Sequence, residues 1–371
     1  MTYRELAALR LDNLGIGGFK GKAADCGERV ETLVGALGAV QAQDYPGTLW
    51  ALGLRAPGST IAEVESAVEK ARIVRTWPMR GTLHFVAASD LRWMTKLLTP
   101  RVIAGTKSRQ AQLELDARQF AQSQEIMRRL LSGSRVLSRE ALLAGVEEEG
   151  ISTAGGRGYH LLFRAAMEGV ICVGPTRDKE QTFALLDDWV PAVVDRGHVG
   201  EQAVAELARR YFKSHGPATA KDFAGWTGLS MGETKRGIAA IRSDLESTNI
   251  DGIEYLWFPR DSALRSETRT IRVDLLPGFD EFILGYKNRD AVLDPAYSQR
   301  ICPGGNGVFA STIVINGFVR GTWKRTILKN RVKVALFPFQ TLSAKELLCA
   351  EEAAAAYGSF LGMEAEVFAG E

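Results

Sequence analysis

Hydrophobic and polar positions along the first three quarters of the chain follow an order that repeats about every 80 residues. In each pass, segments with apolar residues at helical spacing are followed by two short runs with the alternation of β-strands. Three helices followed by a two-stranded wing is the order of a winged helix, a helix-turn-helix variant. The pattern predicts three such motifs in tandem, although the repeats share little sequence.

Capping and turn residues give the limits of these elements. Thr60, Ser138 and Ser230 are predicted N-caps. Asp251-Gly252 predicts a two-residue hairpin turn. The predicted helices are 28–40, 60–70, 118–131, 138–149, 155–167, 201–213, 219–227 and 230–241, and the predicted wing strands are 73–77, 79–86, 170–173, 182–186, 245–250 and 253–258.

Beyond about residue 262 the pattern changes to short β runs joined by glycine and polar turns. These runs are 308–315, 318–323, 325–328 and 332–337, followed by a helix at 343–360 and a strand near 365–368. The predicted fold class is therefore α+β, with three tandem winged-helix motifs and a C-terminal antiparallel β-barrel-like domain. The predicted domains are residues 1–110, 111–197, 198–262 and 263–371.

The composition of the chain argues against several classes of protein. The 371 residues are 46% hydrophobic and 24% charged, the balance of a globular protein with several cores. Charge from Arg4 onward argues against a signal peptide, and the longest uncharged stretch, 301–319, is too rich in glycine for a membrane span. The four cysteines and four histidines show no zinc-type spacing. We therefore expect a cytoplasmic protein with reduced thiols and no metal.

The net charge of +2 hides two basic segments on an acidic background. Residues 72–109 carry eight Lys or Arg and one acid, and residues 320–333 carry six Lys or Arg and no acid. Their charges of +7 and +6 leave −11 for the rest of the chain. Such segments suit a polyanion bound at defined places, as in nucleic-acid binding. The alternative is that these cations only solvate the faces of helices and strands.

The segment Gln41-Ala42-Gln43-Asp44-Tyr45-Pro46 follows the first predicted helix. On a helix the two glutamines would point about 200° apart, whereas on extended backbone they share a side. Pro46 disfavours helix at Tyr45, which favours the extended form. Two carboxamides on one side can hold one water by their carbonyl oxygens while their NH₂ groups donate elsewhere. The alternative is that both glutamines bond to neighbouring backbone at a helix end.

Four blocks of the sequence resemble the AlkZ/AlkX-like winged-helix DNA glycosylases. They are 39–51 (AVQAQDYPGTLWA), 75–85 (RTWPMRGTLHF), 275–295 (LLPGFDEFILGYKNRDAVLDP) and 316–325 (NGFVRGTWKR). The catalytic signature of this family is Gln, an aliphatic residue, and then Gln or an acid. Gln41-Ala42-Gln43 is similar to the double-glutamine form, which belongs to the AlkZ-like branch.

The resemblance implies a C-terminal β domain and three winged helices around duplex DNA. It also implies a monofunctional DNA glycosylase that removes N7-alkylated purines and unhooks interstrand crosslinks from bifunctional alkylating natural products, in self-resistance or DNA repair. An N7-alkylguanine is cationic and a good leaving group, so a positioned water and some negative potential suffice. We expect Gln41 and Gln43 to hold that water in a monomer that binds double-stranded DNA without metal, cofactor or Schiff base.

Seven further residues are candidates for contact with DNA. Two aromatic residues near the glutamines could stack beside the lesion, two residues of the first wing could touch the lesion strand, and three C-terminal cations could bind phosphates. For each of them the alternative is a structural role, in the core or on a solvated face. The candidates are, in that order, Tyr45 and Trp50, Arg80 and His84, and Arg320, Lys324 and Arg325. Arg80, Thr82 and His84 are predicted to share one strand face.

Two alternatives to a glycosylase stay open from the sequence. A winged-helix transcriptional regulator would share the fold, although tandem repeats without a dimerisation heptad argue against it. A non-catalytic resistance protein that sequesters the drug or shields DNA would share the DNA-binding surface. The block at 275–295 contains four polar residues for which we expect only buried, salt-linked structure. They are Asp280, Glu281, Tyr286 and Arg289.

Overall fold

The computed structural model describes residues 1–19, 25–177, 180–190, 195–259 and 271–370, and within them the fold is α+β, as predicted. The chain divides into two compact units, Met1–Glu65 with Ala205–Glu371, and Ser66–Val204. The first unit is thus assembled from both ends of the chain. The predicted boundary at 110 falls inside the second unit, and the one at 262 lies outside the described residues, so the four predicted domains stay a prediction.

Four helices precede the first wing. They and one short strand are α1 (Tyr3–Asn13), α2 (Cys26–Leu37), β1 (Val40–Gln41), α3 (Tyr45–Arg55) and α4 (Ile61–Glu69). The expectation of extended backbone at Tyr45 is wrong, because Tyr45 opens α3. Pro46 occupies the first turn of that helix, where an N–H has no helical partner in any case.

The second unit has a five-stranded sheet in the order β3-β2-β5-β6-β4. Its core contains Trp77, Phe163 and Phe183. Pro78 lies within β2, so the wing turns later than predicted, at Arg80-Gly81 with φ of 55° and 72°. The elements are β2 (Ile73–Met79), β3 (Thr82–Ala87), α5 (Ala88–Gly105), α6 (Lys107–Gln112), α7 (Ala117–Leu131), β4 (Leu137–Ser138), α8 (Arg139–Glu148), α9 (Arg157–Met167), β5 (Ile171–Arg177), β6 (Glu180–Leu185) and α10 (Leu186–Trp189).

A third set of helices and a hairpin returns to the first unit. Ser230 caps its last helix reciprocally with Glu233, and Asp251 and Gly252 both have positive φ, as the predicted cap and turn require. The elements are α11 (Gly200–Ser214), α12 (Ala220–Thr227), α13 (Met231–Ala240), β7 (Glu246–Ile250) and β8 (Ile253–Trp257). Helices followed by a hairpin therefore occur three times, and the assignment of these sets as winged helices stays a prediction.

The C-terminal sheet is open within the described residues, so the predicted barrel-like domain is not confirmed. Its order β13-β12-β11-β10-β9 has two edges within the described residues. All pairs are antiparallel except β12–β13, which are parallel because the helix α16 connects them. The elements are β9 (Val273–Leu276), α14 (Glu281–Leu284), α15 (Ser298–Ile301), β10 (Thr312–Ile315), β11 (Phe318–Ile327), β12 (Arg331–Pro338), α16 (Ala344–Leu361) and β13 (Glu364–Ala369). In the described part of the chain, no helix has both the length and the apolar character needed to span a membrane.

Candidate active site

Gln41 and Gln43 lie side by side in the turn that leads from β1 into α3. Nε2 of Gln41 donates to Oε1 of Gln43 over 2.6 Å. Gln41 is only 6% exposed, whereas Gln43 is exposed. The carboxamides are therefore together, as the extended segment predicts. They are bonded to each other, however, and the expectation that both NH₂ groups donate elsewhere is corrected for Gln41.

The pair keeps unused hydrogen-bonding capacity. Oε1 of Gln41 is buried and has no hydrogen-bond partner among the described residues, which costs about 1–3 kcal/mol for a buried polar group. Oε1 of Gln43 has two lone pairs and uses one of them on Gln41. A buried acceptor without a partner requires an explanation, and the binding of a polar ligand is one that fits the exposed carboxamide beside it.

The backbone of Gln41 is held at both of its polar atoms. Its N–H donates to Oε1 of Glu281 over 3.0 Å. Its carbonyl oxygen accepts from Oγ1 of Thr48, on the first turn of α3, over 2.9 Å. The same hydroxyl lies 2.8 Å from the carbonyl oxygen of Asp44, so one side chain closes the turn at two points.

Glu281 is itself fixed in a buried polar cluster and is only 1% exposed. Its Oε2 accepts from Nε1 of Trp226 over 2.9 Å and lies 3.4 Å from Nε2 of His215. His215 stacks on Tyr211 with ring centroids 4.7 Å apart. Burial lowers the pKa of His215 more than the neighbouring Glu281 raises it, so the imidazole is neutral at neutral pH.

The neighbouring Asp280 fixes the other end of α3. Its carboxylate pairs with both terminal nitrogens of Arg55, at 2.8 and 2.9 Å, and the two side chains are each 1% exposed. Burial lowers the pKa of Arg55, but the contact with Asp280 outweighs it and leaves that pKa above its usual value. The expected buried, salt-linked structure is thus confirmed at Asp280. Glu281, in contrast, contacts the candidate catalytic residue itself.

The other two polar residues of that block are bonded to backbone. Oη of Tyr286 donates to the carbonyl oxygen of His215 over 2.8 Å. Nε of Arg289 donates to the carbonyl oxygen of Ile283 over 2.7 Å. Both side chains therefore join segments of the first unit.

Arg325 is placed at the glutamine turn rather than on an open surface. Its Nη2 lies 3.3 Å from both carboxylate oxygens of Asp44, and its side chain is 20% exposed. Asp44 stands at the N-cap of α3 but makes no capping hydrogen bond with its side chain. The guanidinium of Arg325 is thus an ion-pair partner of Asp44, and its contact with phosphate stays a prediction.

Trp50 is a core residue, which corrects its candidacy for stacking on DNA. It is 3% exposed and lies against Tyr357 and Phe360, with ring centroids 4.9 and 5.3 Å away. Its Nε1 donates to the carbonyl oxygen of Leu275 over 2.8 Å. Tyr45, at the start of α3, is partly exposed, and its contact with the lesion stays a prediction.

His84 is fully buried, with 0% exposure, which corrects its candidacy for direct DNA contact. Its Nε2 lies 3.1 Å from Nη2 of Arg80 and its Nδ1 lies 2.8 Å from the carbonyl oxygen of Thr82. A guanidinium only donates, so Nε2 is the acceptor and the proton sits on Nδ1. Arg80 belongs to the turn and not to the strand face predicted for Arg80, Thr82 and His84. It is partly exposed, and its contact with DNA stays a prediction.

Arg320 and Lys324 are exposed on β11. Nη2 of Arg320 donates to Oε1 of Gln340 over 3.2 Å. Nζ of Lys324 lies 5.3 Å from the ring centre of Phe337. Because side chains alternate along a strand, Lys324 and Arg325 point to opposite faces. Phosphate contact by Arg320 and Lys324 stays a prediction.

Sequence reasoning missed the residues that hold the glutamine turn. Thr48 could have been found from the local sequence, because the hydroxyl of a threonine can donate to the backbone carbonyl oxygen four residues earlier, here that of Asp44. Glu281 is 240 residues from Gln41, and no spacing in the sequence connects the two. Among the described residues, no group of three or more His, Cys, Asp or Glu side chains is placed to hold a metal ion.

A family model described as "DNA glycosylase AlkZ-like" matches residues 34–360. The chain belongs to this family. The AlkZ-like match covers the glutamine turn and the segment with Glu281. A relative from Streptomyces sahachiroi, named "Interstrand DNA cross-link repair glycosylase", is 25% identical over 319 residues, which are 82% of this chain and 84% of the relative. These matches give no support to the transcriptional regulator.

A solved structure confirms the fold of this AlkZ-like chain. It is the DNA glycosylase AlkZ of Streptomyces sahachiroi, with a TM-score of 0.79 and 22% identity. The alignment covers 99% of this chain and 100% of the other. At this level of identity the likeness supports a shared arrangement of the backbone.

Proposed function

We propose that the protein is a monofunctional DNA glycosylase that hydrolyses the N-glycosidic bond of N7-alkylated purines in duplex DNA, including interstrand crosslinks. The glutamine pair carries the proposal, because Gln43 is exposed and lies within hydrogen-bond distance of Gln41, whose buried acceptor has no partner in the part of the chain that the structure describes. Membership of the family supports the reaction, and the relative named for interstrand crosslink repair supports the substrate class. The proposed role is DNA repair or self-resistance.

In the proposed reaction Gln43 and Gln41 position the attacking water. The second lone pair of Oε1 of Gln43 accepts a hydrogen from the water and aims its oxygen at C1′ of the sugar. The hydrogen bond from Gln41 orients the carboxamide of Gln43. Because an N7-alkylated purine leaves as a neutral base, no strong general acid or base is needed at this turn.

The sugar develops positive charge as the bond breaks, so negative potential at the turn lowers the barrier. The carbonyl dipoles of the two glutamines supply part of it. The carboxylate of Asp44 is next in the chain, and its charge is partly compensated by Arg325. Water rather than a lysine amine is the nucleophile in this proposal, so borohydride should trap no covalent adduct between the protein and DNA.

The DNA contacts proposed for this reaction use exposed or partly exposed residues. Arg320 and Lys324 on β11 would bind phosphates, Arg80 would touch the lesion strand, and Tyr45 would lie beside the lesion. If six to ten phosphates are contacted, affinity should fall steeply with salt, with a slope of about −0.9 per phosphate in a log–log plot. The protein would act as a monomer without a cofactor.

The experiment is base release from a duplex with one N7-methylguanine, and from a second duplex with an interstrand crosslink, both without added metal. We expect release by the wild type and loss of at least about 100-fold in Gln43→Ala with DNA binding retained. Gln202→Ala, an exposed glutamine on α11, is the matched control. No release from either duplex by a protein that binds both would contradict the proposal. Equal loss in both variants would contradict the role of Gln43.

A further inference from the structure

The backbone of Gln41 is bonded to two side chains that come from different parts of the first unit. Glu281 reaches it from the start of α14, and Thr48 reaches it from the first turn of α3. Both side chains are nearly buried, at 1% and 4% exposure. We infer that Glu281 and Thr48 are positioning residues of the reaction, which act by clamping the N–H and the carbonyl oxygen of Gln41.

Burying a carboxylate to accept from one backbone N–H costs desolvation free energy. Desolvation of the charge must be offset by donors, and here they are the N–H of Gln41 and Nε1 of Trp226, with His215 close by. A neutral carbonyl would satisfy the same N–H, but a charged acceptor makes a stronger bond. The carboxylate therefore adds rigidity at one backbone atom of the candidate catalytic turn.

The attachment of Glu281 is rigid as well. Asp280, the preceding residue, caps α14 by accepting from the N–H of Phe282 and pairs with Arg55 at the end of α3. The segment 280–281 thus bonds to Arg55, which ends α3, and to Gln41, which lies just before the start of α3. A displacement of this segment would move the glutamine turn with it.

Precision at Gln41 matters because Gln41 orients Gln43. Its Nε2 is the donor to Oε1 of Gln43, so a shift of the Gln41 backbone changes the direction in which Gln43 presents its free lone pair. A misplacement of about 1 Å in a positioned reactant can cost about 100-fold in rate. Such a shift should slow hydrolysis without weakening DNA binding, since neither Glu281 nor Thr48 is exposed.

The first test compares two carboxylates changed to carboxamides, Glu281→Gln and Asp274→Asn. In Glu281→Gln the new NH₂ faces either the N–H of Gln41 or that of Trp226, and both of these are donors. Asp274 is another buried carboxylate of the same unit, 7% exposed and paired with Arg272. We expect the single-turnover rate at saturating protein to fall at least about tenfold in Glu281→Gln and less than about twofold in Asp274→Asn. The Kd for the duplex should stay within about twofold in both.

The second test removes the other half of the clamp without removing a charge. Thr48→Val keeps the shape of the side chain and deletes the donor to Gln41. Thr227→Val is the matched control, because its hydroxyl is also buried and bonds to backbone four residues earlier, at Phe223. We expect a fall of about threefold to tenfold in Thr48→Val and none in Thr227→Val. This pair decides the question if Glu281→Gln does not fold.

The inference rests on the proposed function, and the wild-type reaction separates the two. If the wild type releases no base, the proposed function fails before any variant is compared. If the wild type is active, wild-type rates in both Glu281→Gln and Thr48→Val would overturn the clamp. The clamp would also be overturned if each variant and its control had the same melting temperature and lost the same fraction of the rate. The loss of rate would then follow from lower stability and not from the position of Gln41.

Discussion

Two turns of the molecule bring polar side chains together beside a proline, and they differ in what they leave accessible. In the first unit, Gln41 is buried and orients an exposed Gln43. In the second unit, Arg80 is partly exposed and donates to a His84 that is fully buried. The first turn leaves the carboxamide of Gln43 accessible, while the second buries the imidazole of His84. Polar residues at similar places in family-like blocks therefore differ in accessibility, which only the tertiary structure shows.

The largest expected effect on the rate of base release comes from replacing the donor of the glutamine pair by a carboxylate. In Gln41→Glu the carboxylate cannot donate to Oε1 of Gln43, and a charge is buried at the turn. In Gln43→Glu the carboxylate still accepts from Gln41 and can still hold the water. We expect the rate of base release to fall by about 100-fold in the first variant and by less than about tenfold in the second. Single-turnover kinetics at saturating protein would measure both.

This pair of variants also tests the direction of the hydrogen bond. A faster Gln41→Glu than Gln43→Glu would mean that Gln43 donates and Gln41 accepts. If both variants lowered the rate of base release only slightly, the glutamine turn would have a structural role, as we expect for the turn at Arg80 and His84. The distinction between the two turns would then disappear.

A smaller effect is expected at the second turn, and on stability rather than on rate. His84→Ala removes a buried imidazole and leaves the carbonyl of Thr82 without that donor. We expect a loss of about 2 kcal/mol in the free energy of unfolding, measured by urea titration. His198→Ala, a partly exposed histidine of the same unit, should lose much less.

The rate of base release per folded molecule should stay within about twofold in His84→Ala. A stable His84→Ala protein with a strongly reduced rate would place the second turn in the active site and end the contrast between the two turns.

The smallest effect concerns two cations that are neighbours in the sequence. Lys324 is exposed, whereas Arg325 pairs with Asp44. We expect Lys324→Ala to reduce the slope of log Kd against log salt by about 1, as the loss of one phosphate contact does. Arg325→Ala should leave the slope unchanged and alter the rate instead. A reduced slope in Arg325→Ala would show that its guanidinium leaves Asp44 to bind phosphate.

The sequence alone determined most of the helices and located the glutamine pair. Caps such as Ser138 and Ser230 and the Asp251-Gly252 turn act within a few residues, so the sequence is enough to locate them. The glutamine motif could be recognised because its residues are adjacent in the chain. The helix at Tyr45 was missed because a proline in a first turn and a proline in an extended segment look alike without their context.

Tertiary structure alone decided which polar residues serve the glutamine turn and which are buried elsewhere. The long-range partners of Gln41 and Asp44 are Glu281 and Arg325, more than 200 residues away along the chain. Contacts over such distances depend on how strands and helices pack, and no local spacing encodes them. The same holds for the exposure of Trp50, since a residue is core only when other elements cover it. The open C-terminal sheet likewise depends on how its edge strands pair, which the alternation of residues within one strand does not specify.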